Sequence, residues 1–76
     1  MSAARPYDFG VTIFVNGEAK ELPEGASLRM LIERLGLAEK ACAAEVNLSL
    51  VPRKDHESRM LAPEDRVEIV TLVGGG

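Results

Sequence analysis

The chain ends in three consecutive glycines, Gly74, Gly75 and Gly76, which follow a segment of alternating apolar residues. Glycine lacks a Cβ atom, so an extended run of this length reaches about 10 Å and can enter a cleft that would exclude any side chain. The carboxylate of Gly76 becomes an acyl donor once it is activated. We therefore predict that Gly76 is covalently modified and that Gly74 and Gly75 thread it into a partner protein.

The activating machinery has to belong to that partner. A carboxylate is a poor electrophile, and its conversion to an acyl-adenylate requires ATP. The sequence contains neither G-x-x-x-x-G-K-[ST] nor G-x-G-x-x-G, the glycine-rich patterns that hold nucleotide phosphates. We predict that the chain binds no cofactor itself and that MgATP is used by the activating partner.

Other reactive side chains are isolated along the sequence. His56 is the only histidine, and its neighbours Asp55 and Glu57 define no coordination geometry, so we predict a surface loop and no metal site. Cys42 is the only cysteine; it lies among alanines and is predicted to be a small buried hydrophobic residue. Without paired carboxylates or a nucleophile–base set, the chain is not expected to be an enzyme and has no predicted catalytic residue.

Composition limits the partners and the compartment. Seventy-six residues suit one domain, and the formal charge of −3 argues against nucleic acid and against anionic membranes as partners. No apolar run approaches the ~20 residues that span a bilayer. A small domain without disulfides is most simply intracellular, so we expect a cytoplasmic protein.

The elements that hold the tail can be placed from local patterns. Residues 1–10 form a leader or edge extension, residues 11–73 the domain, and residues 74–76 the flexible tail. Within the domain, Asn16-Gly17 favours a type I′ turn between the strands Val11–Val15 and Glu18–Leu22.

A helix and further strands follow this hairpin. Apolar residues recur at helical spacing after Ser27, which predicts a helix over Ser27–Leu35 that ends at Gly36. Short strands are expected over Ala43–Leu48 and Ser49–Arg53, with a charged surface crossing before the final strand. A hairpin, a helix and then more strands indicate an α+β domain with the helix on one sheet face.

The final strand "VEIVTLV" carries the tail. A period of two directs Val67, Ile69 and Val73 towards the core, and Val70 and Leu72 away from it. Two exposed apolar residues next to a glycine tail form a candidate docking surface, so Val70 and Leu72 are predicted to contact the partner.

The segments "VNGEAKELPEG", "SLRMLIERLGL", "AAEVNLSLVPR" and "DRVEIVTLVGGG" resemble the ThiS sulfur-carrier family, from about Thr12 to Gly76. The resemblance implies the ubiquitin-like β-grasp fold, with a mixed sheet of four to five strands and one main helix. The sequence departs from the family pattern at two turns, where Leu48 and Glu64 stand in place of the usual glycines. These departures matter only where the backbone φ is positive.

The resemblance also implies a pathway. A ThiF-type enzyme would adenylate Gly76 with MgATP, sulfur from a source such as a cysteine desulfurase would convert it to a thiocarboxylate, and thiazole synthase (ThiG) would take the sulfur for thiamine biosynthesis. Open alternatives are a MoaD-like carrier, a carrier for cysteine synthesis or tRNA thiolation, a ubiquitin-like protein modifier and a non-covalent binding module.

Overall fold

The computed structural model describes residues 10–72 of the chain. Within these residues, five strands form one mixed sheet and a single α-helix packs against it. Residues 1–9 of the predicted leader (residues 1–10), the predicted domain residue Val73 and the predicted tail of Gly74, Gly75 and Gly76 lie outside the described residues. The strands are β1 (Gly10–Val15), β2 (Glu18–Pro23), β3 (Cys42–Val46), β4 (Ser49–Val51) and β5 (Arg66–Thr71), and the helix is α1 (Leu28–Arg34).

The strand order places the tail-bearing strand in the middle of the sheet. The order is β2-β1-β5-β3-β4, so β5 pairs in parallel with β1 on one side and antiparallel with β3 on the other. Hairpins join β1 to β2 and β3 to β4. This mixed sheet with its helix confirms the predicted α+β class.

The β1–β2 hairpin and the helix form where the sequence predicts them. Asn16 and Gly17 have φ of 50° and 88°, the left-handed values that a type I′ turn requires. The Ser27 side chain accepts a hydrogen bond from the backbone N–H of Met30 at 3.1 Å and caps the helix. Leu35 closes the helix, and Gly36 follows it with φ 77°.

One apolar cluster joins the helix to one face of the sheet. Helix residues such as Leu31 meet alternate residues of the strands, and Ile13 and Val67 are almost completely buried. The period-two prediction for Val67 and Ile69 as core residues is confirmed, while Val73 lies outside the described residues. The buried apolar residues are Val11, Ile13, Val15, Leu22, Ala26, Leu28, Leu31, Ile32, Ala44, Val46, Val51, Leu61, Val67 and Ile69.

The segment that follows β4 differs from its prediction. His56, predicted to lie in a surface loop, is only 6% exposed, and its Nε2 atom lies 3.0 Å from the carbonyl oxygen of Val51. Because a carbonyl only accepts, Nε2 is the donor. A turn of 3₁₀ helix over Arg53–Asp55 directs the imidazole inwards, and the His56 carbonyl accepts a hydrogen bond from the backbone N–H of Arg29. The surface-loop prediction was wrong because charged neighbours in sequence did not reveal this local turn.

Strand β3 is also shorter than predicted. The Ala43–Leu48 prediction runs two residues too far, because Asn47 and Leu48 form the turn into β4 and have φ of 52° and 72°. Cys42, predicted to be buried, is half-buried and packs against the edge of the core. The described residues include no helix with the length and apolar character needed to cross a membrane.

Candidate docking face and tail root

The sheet face opposite α1 is not covered by any element of residues 10–72, and we call it the open face. Phe14, Glu45, Leu50, Glu68 and Val70 point to this side, since their strand neighbours point into the core. Among them, Leu50 and Val70 are large apolar residues with most of their surface accessible. Scattered exposed apolar residues are ordinary in proteins, whereas several on one sheet face form a candidate contact surface.

Thr71 and Leu72 come directly after the open-face residue Val70 in the sequence, and we call these two residues the tail root. Val70 is 58% exposed and Leu72 is 54% exposed, so both predicted docking residues are accessible. The backbone N–H of Leu72 donates to the Ala41 carbonyl at 2.8 Å, which continues the β3–β5 ladder past the end of the strand. The last described residue before the tail is therefore held against the sheet.

A shallow recess of about 480 Å³ adjoins the tail root. Leu37, Lys40 and Ala41, from the connection between α1 and β3, line it together with Thr71 and Leu72. Leu72 thus presents an apolar side chain beside a basic one. Sequence reasoning identified Leu72 but missed this recess, because the helix-to-strand connection shows no periodic pattern.

Two asparagine side chains fix β5 from either side. Asn16, in the β1–β2 turn, accepts a hydrogen bond from the Ile69 N–H at 2.9 Å and donates to the Ile69 carbonyl at 3.2 Å. Its amide thus replaces the backbone of a neighbouring strand where β1 has already turned away. These bonds anchor the half of β5 that leads to the tail.

The second asparagine anchors the beginning of β5. The side-chain oxygen of Asn47 accepts from the Arg66 N–H at 2.9 Å, and its nitrogen donates to the Asp65 carboxylate at 2.9 Å. The buried Asp65 also accepts from the Ala62 N–H at 2.8 Å, which closes the preceding turn. The sequence did not predict that the side chains of Asn16 and Asn47 anchor β5, since hydrogen bonds between distant residues leave no local pattern.

Leu48 and Glu64, the two residues that depart from the ThiS pattern, both have a left-handed backbone conformation. Leu48 has φ 72° and Glu64 has φ 69°, values that glycine adopts without strain and that other residues rarely adopt. Leu48 is also 89% exposed at the tip of the β3–β4 hairpin. The usual glycines would fit these backbone positions better.

Comparison with known proteins decides the family. The ThiS family model matches residues 13–76, which include all three terminal glycines. The chain belongs to the ThiS family. The crystal structure of a ThiS thiamine biosynthesis protein from Geobacter metallireducens has the same fold, with a TM-score of 0.73 and 23% identity over 87% of this chain and 100% of that one. The predicted ubiquitin-like β-grasp fold and the predicted ThiS membership are thereby confirmed.

Curated relatives of this ThiS-family chain are of two kinds. The uncharacterized protein ycf40 of Porphyra purpurea is 36% identical over 87% of this chain and 93% of its own length. A thiazole synthase of Magnetococcus marinus is 34% identical over 84% of this chain, but the match covers only 20% of that protein. A thiazole synthase of Paramagnetospirillum magneticum matches in the same way, at 30% identity and 20% coverage. In these two proteins a ThiS-like segment occupies a small part of a longer chain.

Proposed function

We propose that the chain is a sulfur carrier whose Gly76 carboxylate is adenylated by a ThiF-type enzyme and then converted to a thiocarboxylate. The observation that carries this proposal is the match of the ThiS family model through to Gly76. The fold supports it, because β5, the strand that precedes the tail in the sequence, is central in the sheet and anchored on both sides. The chain acts as a substrate of its partners and works in the cytoplasm.

The proposed chemistry uses the tail alone. A carboxylate oxygen of Gly76 attacks the α-phosphorus of the partner's MgATP and releases pyrophosphate. Either hydrosulfide or a persulfide then attacks the acyl carbon and expels AMP. Hydrosulfide gives the thiocarboxylate directly, whereas a persulfide gives an acyl disulfide, whose S–S bond a second thiol cleaves to release the thiocarboxylate and a disulfide. The product is the Gly76 thiocarboxylate, in which sulfur has replaced one oxygen. A cysteine desulfurase is a suitable source of the persulfide.

Thiazole synthase is the proposed acceptor of the sulfur. A ThiS-like segment makes up part of two thiazole synthases, and a fused carrier would remain close to the enzyme that consumes its sulfur. We therefore place the chain in thiazole formation for thiamine biosynthesis, with Val70 and Leu72 as contacts to the activating partner and Gly74 and Gly75 inside its cleft.

Intact mass spectrometry tests the proposal. After incubation with a ThiF-type enzyme, MgATP and sulfide, the mass should rise by about 16 Da, which is the difference between sulfur and oxygen. A variant lacking Gly75 and Gly76 is the matched control and should keep its mass and its unfolding midpoint. An unchanged mass of the intact chain would refute the carrier function, and an isopeptide bond to a target lysine would indicate a protein modifier. Sulfur transfer to thiazole synthase, compared with a MoaD-type acceptor, then tests the pathway.

A further inference from the structure

Two glutamates stand directly opposite each other on the open face. Glu45 of β3 and Glu68 of β5 are register partners, and both are exposed. The adjacent bonds from Asn47 N–H to the Arg66 carbonyl and from Leu72 N–H to the Ala41 carbonyl show that this pair occupies a hydrogen-bonded ladder position. Such partners have Cα atoms about 5.5 Å apart, close enough for their carboxylates to repel each other.

No cation within residues 10–72 forms an ion pair with either carboxylate. The ion pairs described for this part of the chain are Lys20–Glu18 and Arg29–Glu33, both elsewhere. Arg66, the preceding open-face residue of β5, has its guanidinium carbon 5.2 Å from the centre of the Phe14 ring. It is therefore turned towards β1, on the side of β5 away from Glu45.

Aliphatic residues flank the carboxylate pair. Leu50 is the register partner of Glu45 on β4, and Val70 follows Glu68 on the same face of β5, opposite the small Ala43. Leu50 and Val70 are both well exposed. Within residues 10–72, the open face therefore combines two central carboxylates that no cation of these residues pairs with and apolar surface on two sides, a composition that suits a complementary surface.

We propose that the open face docks a surface of the activating partner that places one cationic side chain, best an arginine, between Glu45 and Glu68. The planar guanidinium has enough donors to bridge two carboxylates, and its flat faces tolerate apolar neighbours. Partner aliphatic groups then cover Leu50 and Val70. This proposal rests on the proposed carrier function and adds to it the charge by which the partner recognises the carrier.

The test uses Glu45→Gln, Glu68→Gln and the double variant of the full chain. Each is assayed with the ThiF-type enzyme by carrier-dependent ATP–pyrophosphate exchange and by thermal unfolding. Each single change should raise KM about tenfold with kcat nearly unchanged, because it removes a charge-assisted contact made on docking. The same changes should raise the unfolding midpoint, because they relieve the repulsion between the carboxylates.

Glu21→Gln is the matched control. Glu21 lies on the open face of the edge strand β2, but its register partner is Thr12, so no like charge stands opposite. This variant should leave KM unchanged. Added salt should raise the KM of the wild type more than that of the double variant, since screening weakens the charged contact that only the wild type makes.

The predicted variants bind the partner more weakly but unfold at a higher temperature. If Glu45 and Glu68 only stabilised the fold, their replacement would instead lower the unfolding midpoint. If the wild-type chain supports ATP–pyrophosphate exchange and the double variant has the same KM, the docking proposal is overturned and the carrier function stands. An equal rise in KM for Glu21→Gln would also overturn it, because the effect would then follow net charge. No exchange with the wild-type chain would refute the proposed function, and the docking proposal with it.

Discussion

Leu48→Gly should stabilise the domain, although it removes a large apolar side chain. Leu48 has φ 72° and is 89% exposed. A left-handed conformation costs an ordinary residue about 1–2 kcal/mol, which glycine avoids. Glycine in turn loses about 0.5–1 kcal/mol more backbone entropy on folding. The tenth of the leucine surface that is covered contributes only about 0.2 kcal/mol.

The difference of these terms is a net stabilisation of about 0.5 kcal/mol. For a domain of this size, that corresponds to a rise in Tm of about 2–4 °C. Differential scanning calorimetry or urea unfolding followed by circular dichroism measures it. Leu48→Ala is the control, since alanine removes the side chain but keeps the backbone strain, and it should leave Tm within about 1 °C of the wild type.

A lower Tm for Leu48→Gly would show that the leucine makes a stabilising contact absent from this structure. Equal stabilisation by glycine and alanine would show that side-chain exposure, and not φ, sets the effect. Either result would refute the reasoning from backbone strain. Glu64→Gly, at φ 69°, provides an independent repeat in a different turn.

Three further changes test the anchoring and the core by urea unfolding. Asn16→Ala should lower the free energy of unfolding by about 1–3 kcal/mol, because the backbone N–H and carbonyl of Ile69 both lose their partner. An unchanged unfolding midpoint would show that these two bonds do not anchor β5. His56→Phe should cost about 1–3 kcal/mol by leaving the buried Val51 carbonyl without its donor; stability equal to the wild type would mean that water replaces the imidazole. Leu31→Ala should cost about 2–5 kcal/mol through a cavity beneath the helix, and a loss below 1 kcal/mol would place Leu31 outside the core.

Local signals predicted the elements that depend on local chemistry. Asn16-Gly17 specified its turn because few residue pairs accept two positive φ values, and the helix followed from a cap and one apolar stripe. The exposure of Val70 and Leu72 followed from alternation along a single strand. Family membership required the combined segments, because a glycine tail alone is a weak signal.

What sequence reasoning missed depends on contacts between distant residues. The central place of β5 arises from pairing with β1 and β3, which no pattern within β5 specifies. The opposition of Glu45 and Glu68 likewise exists only once the register is set. His56 was misplaced because its burial follows from a turn of 3₁₀ helix within a run of charged residues.

The parallel pairing of β1 and β5 has a mechanical consequence. The two strands run in the same direction, so the start of β1 and the end of β5 lie at opposite ends of the sheet. Ladder hydrogen bonds run across the strands, so a pull on the tail along β5 loads the bonds on both of its sides together, in shear. The Asn16 amide adds two more bonds at Ile69. A partner that draws the tail into a narrow cleft can therefore apply force without peeling the strand away one bond at a time.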